Sequence, residues 1–222
     1  MKAIDLANWP RAQQFHLYQT IASPYVGICA EVEITELLAY CRQHQLSSYR
    51  AIIYAFVLCT EQLPWLRQRI RGQQVIEHAQ LQVGITGLHA DQQVRFGRIE
   101  PASNWPQFDA QAQVTIANLH HTPALFNGVT ATIDDNVIYL SCLPWLRFSQ
   151  CSHPVPMAPS CSIPRIAWGK YHQDGAQTRM PVSIQAHHGL ADGWHVAQCY
   201  QLLEQLFSQP QQWLLAATAQ TA

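Results

Sequence analysis

Helix-like and strand-like apolar patterns follow one another along this 222-residue chain without regular alternation. A doubly wound parallel sheet needs strand and helix by turns, so that order argues against one. It fits an α/β protein of the mixed α+β kind: a two-layer sandwich in which helices cover one mixed, largely antiparallel sheet. Helical patterns run over 11–21, from Thr35 as cap to about His44, from Ser48 to a stop at Pro64, over 105–119 and over 194–207. Strand patterns run over 26–34, in short glycine-punctuated pieces between 75 and 99, and over 137–142, whose near-continuous apolar run suits a buried sheet. Two more, 163–171 and 180–188, are joined by a turn at Asp174-Gly175. Residues 143–164 hold five prolines (144, 154, 156, 159 and 164) and read as an ordered loop. No repeat or linker divides the chain, and 1–222 reads as one domain.

Composition removes several functional classes. Apolar residues make up 48% and charged residues only 12%, so a large core is available and much of the surface is polar or covered by another subunit. With a net charge of -1 there is no electrostatic footprint for nucleic acid or an anionic membrane. The one basic cluster, Arg67, Arg69 and Arg71, reads more readily as a solvated helix end than as a phosphate site. No secretory signal follows Met1, and the longest apolar stretch, 51–59, falls well short of the ~20 residues that span a bilayer. Seven cysteines, odd in number and without a C-x-x-C pair, fit neither a disulfide framework nor a zinc ribbon, and point to a reducing cytoplasm.

The segment richest in chemistry is Gln185-Ala-His187-His188-Gly-Leu-Ala-Asp192-Gly193. A strand pattern ends in two histidines, and a short turn leads into the last helix. A neutral imidazole there suits a general base, since its unperturbed pKa is about 6.5. Three readings are open: hydrogen-bonded core histidines with Asp192 as a helix cap, a metal site of His188, Asp192 and His195, or catalysis. The spacing is not that of ligands on one helical face, which weakens the metal reading.

The double histidine followed by x-x-x-Asp-Gly resembles the signature of the chloramphenicol acetyltransferases, partly shared by dihydrolipoyl acyltransferases. Ser141-Cys-Leu-Pro144-Trp145-Leu-Arg-Phe148 is similar to the first family's Ser-x-x-Pro-Trp-x-x-Phe stretch. Asn8-Trp9-Pro-Arg11, with Phe15 and Tyr18, resembles its opening helix. Gly169-Lys170-Tyr171 and Met180-Pro181 fit too, so the likeness runs in order from about Asp5 to Phe207.

This resemblance implies acetyl-CoA as co-substrate, no metal, and direct transfer of the acetyl group to an acceptor hydroxyl, chloramphenicol first among acceptors. His188 would be the general base and Ser141 the donor to the oxyanion. Asp192 would pair with Arg11 to hold the turn, and His187 would be structural. Trp145, Lys170 and Tyr171, with Ser141, would line the coenzyme site; Leu17, Tyr18, Val26, Cys151 and His153 would line the acceptor pocket. A homotrimer with sites between subunits is also implied.

The chain departs from the family pattern at Cys151 and His153, where aromatic and aliphatic residues are usual, and at Val26, where Phe is common. Ala167 stands for a Thr that assists the oxyanion through water, and Ser47 for a Lys associated with coenzyme binding. These departures leave two alternatives: an acyltransferase with a different hydroxyl or thiol acceptor, and a catalytically silent homologue acting as a binding protein.

Overall fold

The computed structural model describes residues 1–126, 134–156 and 161–214. In chain order the elements are β1 (Lys2–Ala3), α1 (Ala12–Gln19), β2 (Tyr25–Glu33), α2 (Thr35–Gln43), α3 (Ser48–Gln62), β3 (Gln68–Arg71), β4 (Gln74–Glu77), β5 (Gln82–Leu88), β6 (Val94–Ile99), α4 (Trp105–His121), β7 (Val137–Leu143), β8 (Arg165–Gly169), β9 (His172–Asp174), β10 (Gln177–His187) and α5 (Gly193–Ser208). The central sheet has the strand order β2-β10-β8-β7-β5-β6, with β9 paired to β10. Pairing is parallel for β7 with β8 and β5, and antiparallel elsewhere in this sheet. The mixed, largely antiparallel sheet expected from the sequence is therefore present. A small sheet, β1-β4-β3, stands apart from it.

Strand periodicity gives the central sheet two unlike faces. Val182, Ile184 and Ala186 of β10, Ile166 and Trp168 of β8, Ile138 and Leu140 of β7, and Val83 and Ile85 of β5 are all buried in the main core. Over this face α5 packs on β2, α4 packs on β5 and β6, and α3 lies between α4 and α5. Buried from Ala51 through Val57, α3 is apolar on nearly every side because it has neighbours on nearly every side. Each large side chain it buries, such as Phe56, contributes roughly 1.5–3 kcal/mol of transfer free energy.

The other face carries a polar row. Cys29 pairs with Ser183, Ser183 with Ala167, and Ala167 with Ser141. The proline-rich segment crosses this face: the Ser183 hydroxyl donates to the Cys151 carbonyl at 3.3 Å, and the His153 N–H to Gln185 Oε1 at 3.3 Å. Pro159 lies outside the described residues.

Three local expectations need correction. Thr35 is the first helical residue of α2 rather than its cap; its hydroxyl donates to Glu33 Oε1 and accepts from the Thr178 N–H. The basic cluster is not a solvated helix end but lies at and along β3, paired with β4. Arg69 is fully buried, and its guanidinium donates to the carbonyls of Leu66, Gln68, Asp135 and Val137, so its charge is spent on loop ends. The turn at Asp174-Gly175 joins β9 to β10 rather than β8 to β10. Gly175 there takes φ of 59°, which glycine alone adopts without a Cβ penalty.

A second small core fixes the site. Phe15 of α1 is fully buried with Val75 of β4 and Leu190, and Ile4, Leu6 and Trp9 close around them. This pins α1 beside the turn that follows β10.

Candidate active site

Beyond His187 the chain leaves β10, turns through 188–192 and enters α5 at Gly193. Asp192 is the cap of that helix: its Oδ1 accepts from the N–H groups of Trp194 at 3.1 Å and His195 at 3.4 Å. His195 Nδ1 lies 2.7 Å from the same oxygen. The other carboxylate oxygen, Oδ2, accepts from Arg11 Nη1 at 2.7 Å, and Arg11 Nη2 donates to the His188 carbonyl at 3.0 Å. One guanidinium thus spans both ends of the turn. Burial works against ionisation of Asp192, but hydrogen bonds from His195, Arg11 and the backbone outweigh it and hold the carboxyl well below the usual carboxylate range. The Asp192 N–H in turn points at His195 Nδ1 at 3.4 Å, so this ring serves the cap.

His188 is held from three sides. Its N–H donates to the Pro24 carbonyl at 2.7 Å, its own carbonyl accepts from Arg11, and its ring stacks on Tyr18 with centroids 4.1 Å apart and planes 8° apart. The residue is half-buried; Nδ1 is enclosed and has no hydrogen-bond partner among the described residues, which leaves Nε2 as the nitrogen open to a ligand. His187 is buried, with Nδ1 accepting from the Gly189 N–H at 3.1 Å.

Ser141 is elsewhere. From its row with Ala167 and Ser183, His188 is two strands across and five residues along. At ~4.8 Å per strand and ~3.4 Å per residue that is about 10 Å by 17 Å, or roughly 20 Å. The Ser141 hydroxyl instead meets Thr86 Oγ1 at 3.1 Å.

Two cavities open on this part of the sheet. The larger, about 630 Å³, is lined by Tyr49, Trp145, Gly169, Lys170, Tyr171 and Thr86 among others, so three residues expected at the coenzyme site share it. Trp145 and Lys170 are exposed at its wall, while burial raises the Tyr171 hydroxyl above its ordinary value and keeps it protonated. The smaller cavity, about 300 Å³, contains Ser141, Thr86, Phe96, Phe126, Tyr139 and Arg165 in its lining. Thr86 belongs to both, which makes the Ser141–Thr86 pair the wall where the cavities adjoin. Sequence reasoning missed Thr86, Tyr139 and Arg165; residues on strands without a motif gave no signal.

The acceptor-side residues divide. Tyr18 lies on His188, Leu17 is exposed on α1, and Val26, opposite Ala186, packs against the main core. Cys151 and His153 lie over Ser183 and Gln185 on the polar face. Ala167 is buried within the polar row, and Ser47 caps α3 by accepting from the Arg50 N–H at 3.3 Å.

A mixed sheet, a strand-end histidine whose carbonyl is braced by the Arg11–Asp192 pair, and a cavity of about 630 Å³ beside β5, β7 and β8 together fit an acyltransferase. The chain belongs to the chloramphenicol acetyltransferase family, whose family model matches residues 1–204. It is 26% identical over 204 residues to "Chloramphenicol acetyltransferase 3" of Escherichia coli, covering 91% of this chain and 94% of that protein. A chloramphenicol acetyltransferase of Bacillus pumilus is 25% identical over 214 residues, covering 96% of each. A solved chloramphenicol acetyltransferase superposes with a TM-score of 0.85 at 22% identity, covering 93% of this chain and all of that one, a likeness of fold. Among the described residues no helix is long and apolar enough to cross a membrane.

Proposed function

We propose that this chain transfers acetyl from acetyl-CoA to an acceptor hydroxyl, with His188 as general base and chloramphenicol as the first acceptor to test. The observation that carries this reading is the restraint on His188: its carbonyl is held by Arg11 and its ring lies on Tyr18, with Nε2 left open. His188 Nε2 takes the proton of the acceptor hydroxyl as that oxygen bonds to the acetyl carbonyl carbon. Ser141 donates to the oxygen that becomes negative, a type of contact worth roughly 3–4 kcal/mol to an acyl-transfer transition state. When the C–S bond breaks, the imidazolium returns its proton to the departing sulfur, giving CoA and the ester. Asp192 and Arg11 hold the turn and take no proton.

The larger cavity suits the pantetheine arm in size and lining, with Trp145, Lys170 and Tyr171 along it, and no metal is invoked. The ~20 Å between Ser141 and His188 of one chain favours a site assembled between copies, as in the homotrimer the resemblance implies, with His188 of one subunit facing the Ser141 cavity of the next. Seven free cysteines fit a cytoplasmic setting.

Mixing the protein with acetyl-CoA and chloramphenicol should release CoA, and His188→Ala should lower that rate about 100- to 10,000-fold. Release that is independent of His188 would end the general-base reading. Silence with chloramphenicol but turnover of another hydroxyl or thiol would move the acceptor and keep the chemistry.

A further inference from the structure

The smaller cavity holds a charge that the reaction does not explain. Arg165 lies on the same face as Ser141, one strand away and two residues along, about 8 Å between backbones. Its guanidinium sits 5.4 Å from the centroid of the Tyr139 ring. Its partners are the Ile163 carbonyl at 3.1 Å from Nη1 and the Cys161 sulfur at 3.6 Å from both Nη atoms. Among the described residues no carboxylate approaches it within 4.0 Å.

Its surroundings do not neutralise it. His153, which burial and then Arg165 keep below its ordinary pKa, presents an enclosed Nε2 without a partner. On the opposite wall Arg98 has Asp134 3.6 Å from Nη1, while its buried Nε is unpartnered. The lining thus holds two guanidiniums, and Asp134, which lies outside it, offsets that of Arg98 and leaves a net single positive charge. The Phe96 and Phe126 rings, 5.3 Å apart and tilted by 20°, supply an apolar wall.

A guanidinium left without an anion in a small cavity is poorly solvated, and a planar carboxylate matches its fork of donors. We propose that the acceptor this site is built for is a hydroxyl compound bearing a carboxylate, paired with Arg165 while its hydroxyl, beside Ser141, meets His188 of the neighbouring copy. A monoanion balances the single uncompensated charge. This deepens the O-acetyltransferase reading and rests on it; chloramphenicol itself carries no carboxylate.

The test compares two near-isosteric alcohols, 4-(hydroxymethyl)benzoate and 4-(hydroxymethyl)benzamide, by CoA release at low salt, with chloramphenicol as a third acceptor. The proposal expects kcat/KM for the carboxylate to exceed that for the amide by about tenfold or more, the usual size of a hydrogen bond to a charged group. Raising the ionic strength should shrink the ratio. Arg165→Gln should bring the ratio to about one, and Arg165→Lys should restore part of it. The ratio is internal to each variant, so loss of active protein does not alter it, and should Arg165→Gln not fold, the wild-type ratio and its salt dependence decide.

An amide turned over as well as the carboxylate, or a preference that Arg165→Gln leaves in place, overturns the proposal with the acetyltransferase reading intact. So does turnover of chloramphenicol but of neither benzyl alcohol. Silence on all three acceptors removes the acetyltransferase reading, and the proposal with it.

Discussion

The rings of Tyr18 and His188 lie face to face, 4.1 Å between centroids and 8° from parallel. Stacking of this kind is worth about 0.5–1.5 kcal/mol and fixes the plane of the imidazole, and therefore the direction of Nε2. Tyr18→Phe keeps the stacking and should retain most activity. Tyr18→Ala frees the ring and should lower kcat by about tenfold, the upper part of that range, as steady-state kinetics would show.

Arg11 contacts both Asp192 and the His188 carbonyl through different nitrogens. Lysine retains the charge but cannot span both acceptors. Arg11→Lys should reduce kcat severalfold to about tenfold while costing under about 1 kcal/mol of stability, because Asp192 is partly exposed and the ion pair partly screened. Thermal melting beside kinetics separates the two effects. Combining it with Asp192→Asn should give less than the sum of the single losses, since both break one contact.

His187 supplies a pH signature. Burial, and then the neighbouring His188, push its pKa down to about 4. The unfolded chain takes up this proton near pH 6.5, whereas the folded ring resists until about 4. The folded state is thus favoured above pH 6.5, and this contribution is lost as the pH falls toward 4, with a limiting slope of about 1.4 kcal/mol per pH unit. Melting temperatures of the wild type should drop faster across that window than those of His187→Gln.

Gly169 sits against the coenzyme-side cavity where a Cβ would meet the Leu146 carbonyl oxygen at 2.6 Å, with Phe148 and Pro181 both at 2.9 Å. Gly169→Ala should cost about 1–3 kcal/mol and displace the 143–148 segment. Raised KM for acetyl-CoA with a smaller change for the acceptor would show that displacement.

The helices and the long central strands were legible because period and caps agree with their burial: 48–62 and 193–208 carry broad apolar faces, and β7 is apolar where helices cover it. The His188 turn was legible through its motif. Not legible were β1 and β3, whose sequences are too short and too polar to show apolar alternation, although β3 buries Gln68 and Arg69. Arg69 was misread for that reason, since its burial depends on loop carbonyls far along the chain. Thr86 and Arg165 escaped because their importance comes from strand pairing, which sets them beside Ser141 across separations of 55 and 24 residues.

The most direct test uses two inactive proteins together. His188→Ala and Ser141→Ala chains, each silent alone, are unfolded, mixed in equal amounts and refolded, and CoA release is measured. If the base and the oxyanion donor come from neighbouring copies, random assembly joins an intact Ser141 to an intact His188 at about one site in four, so activity should return to roughly a quarter of the wild-type rate. Mixed oligomers that form and stay inactive would contradict a site assembled between copies from His188 and Ser141.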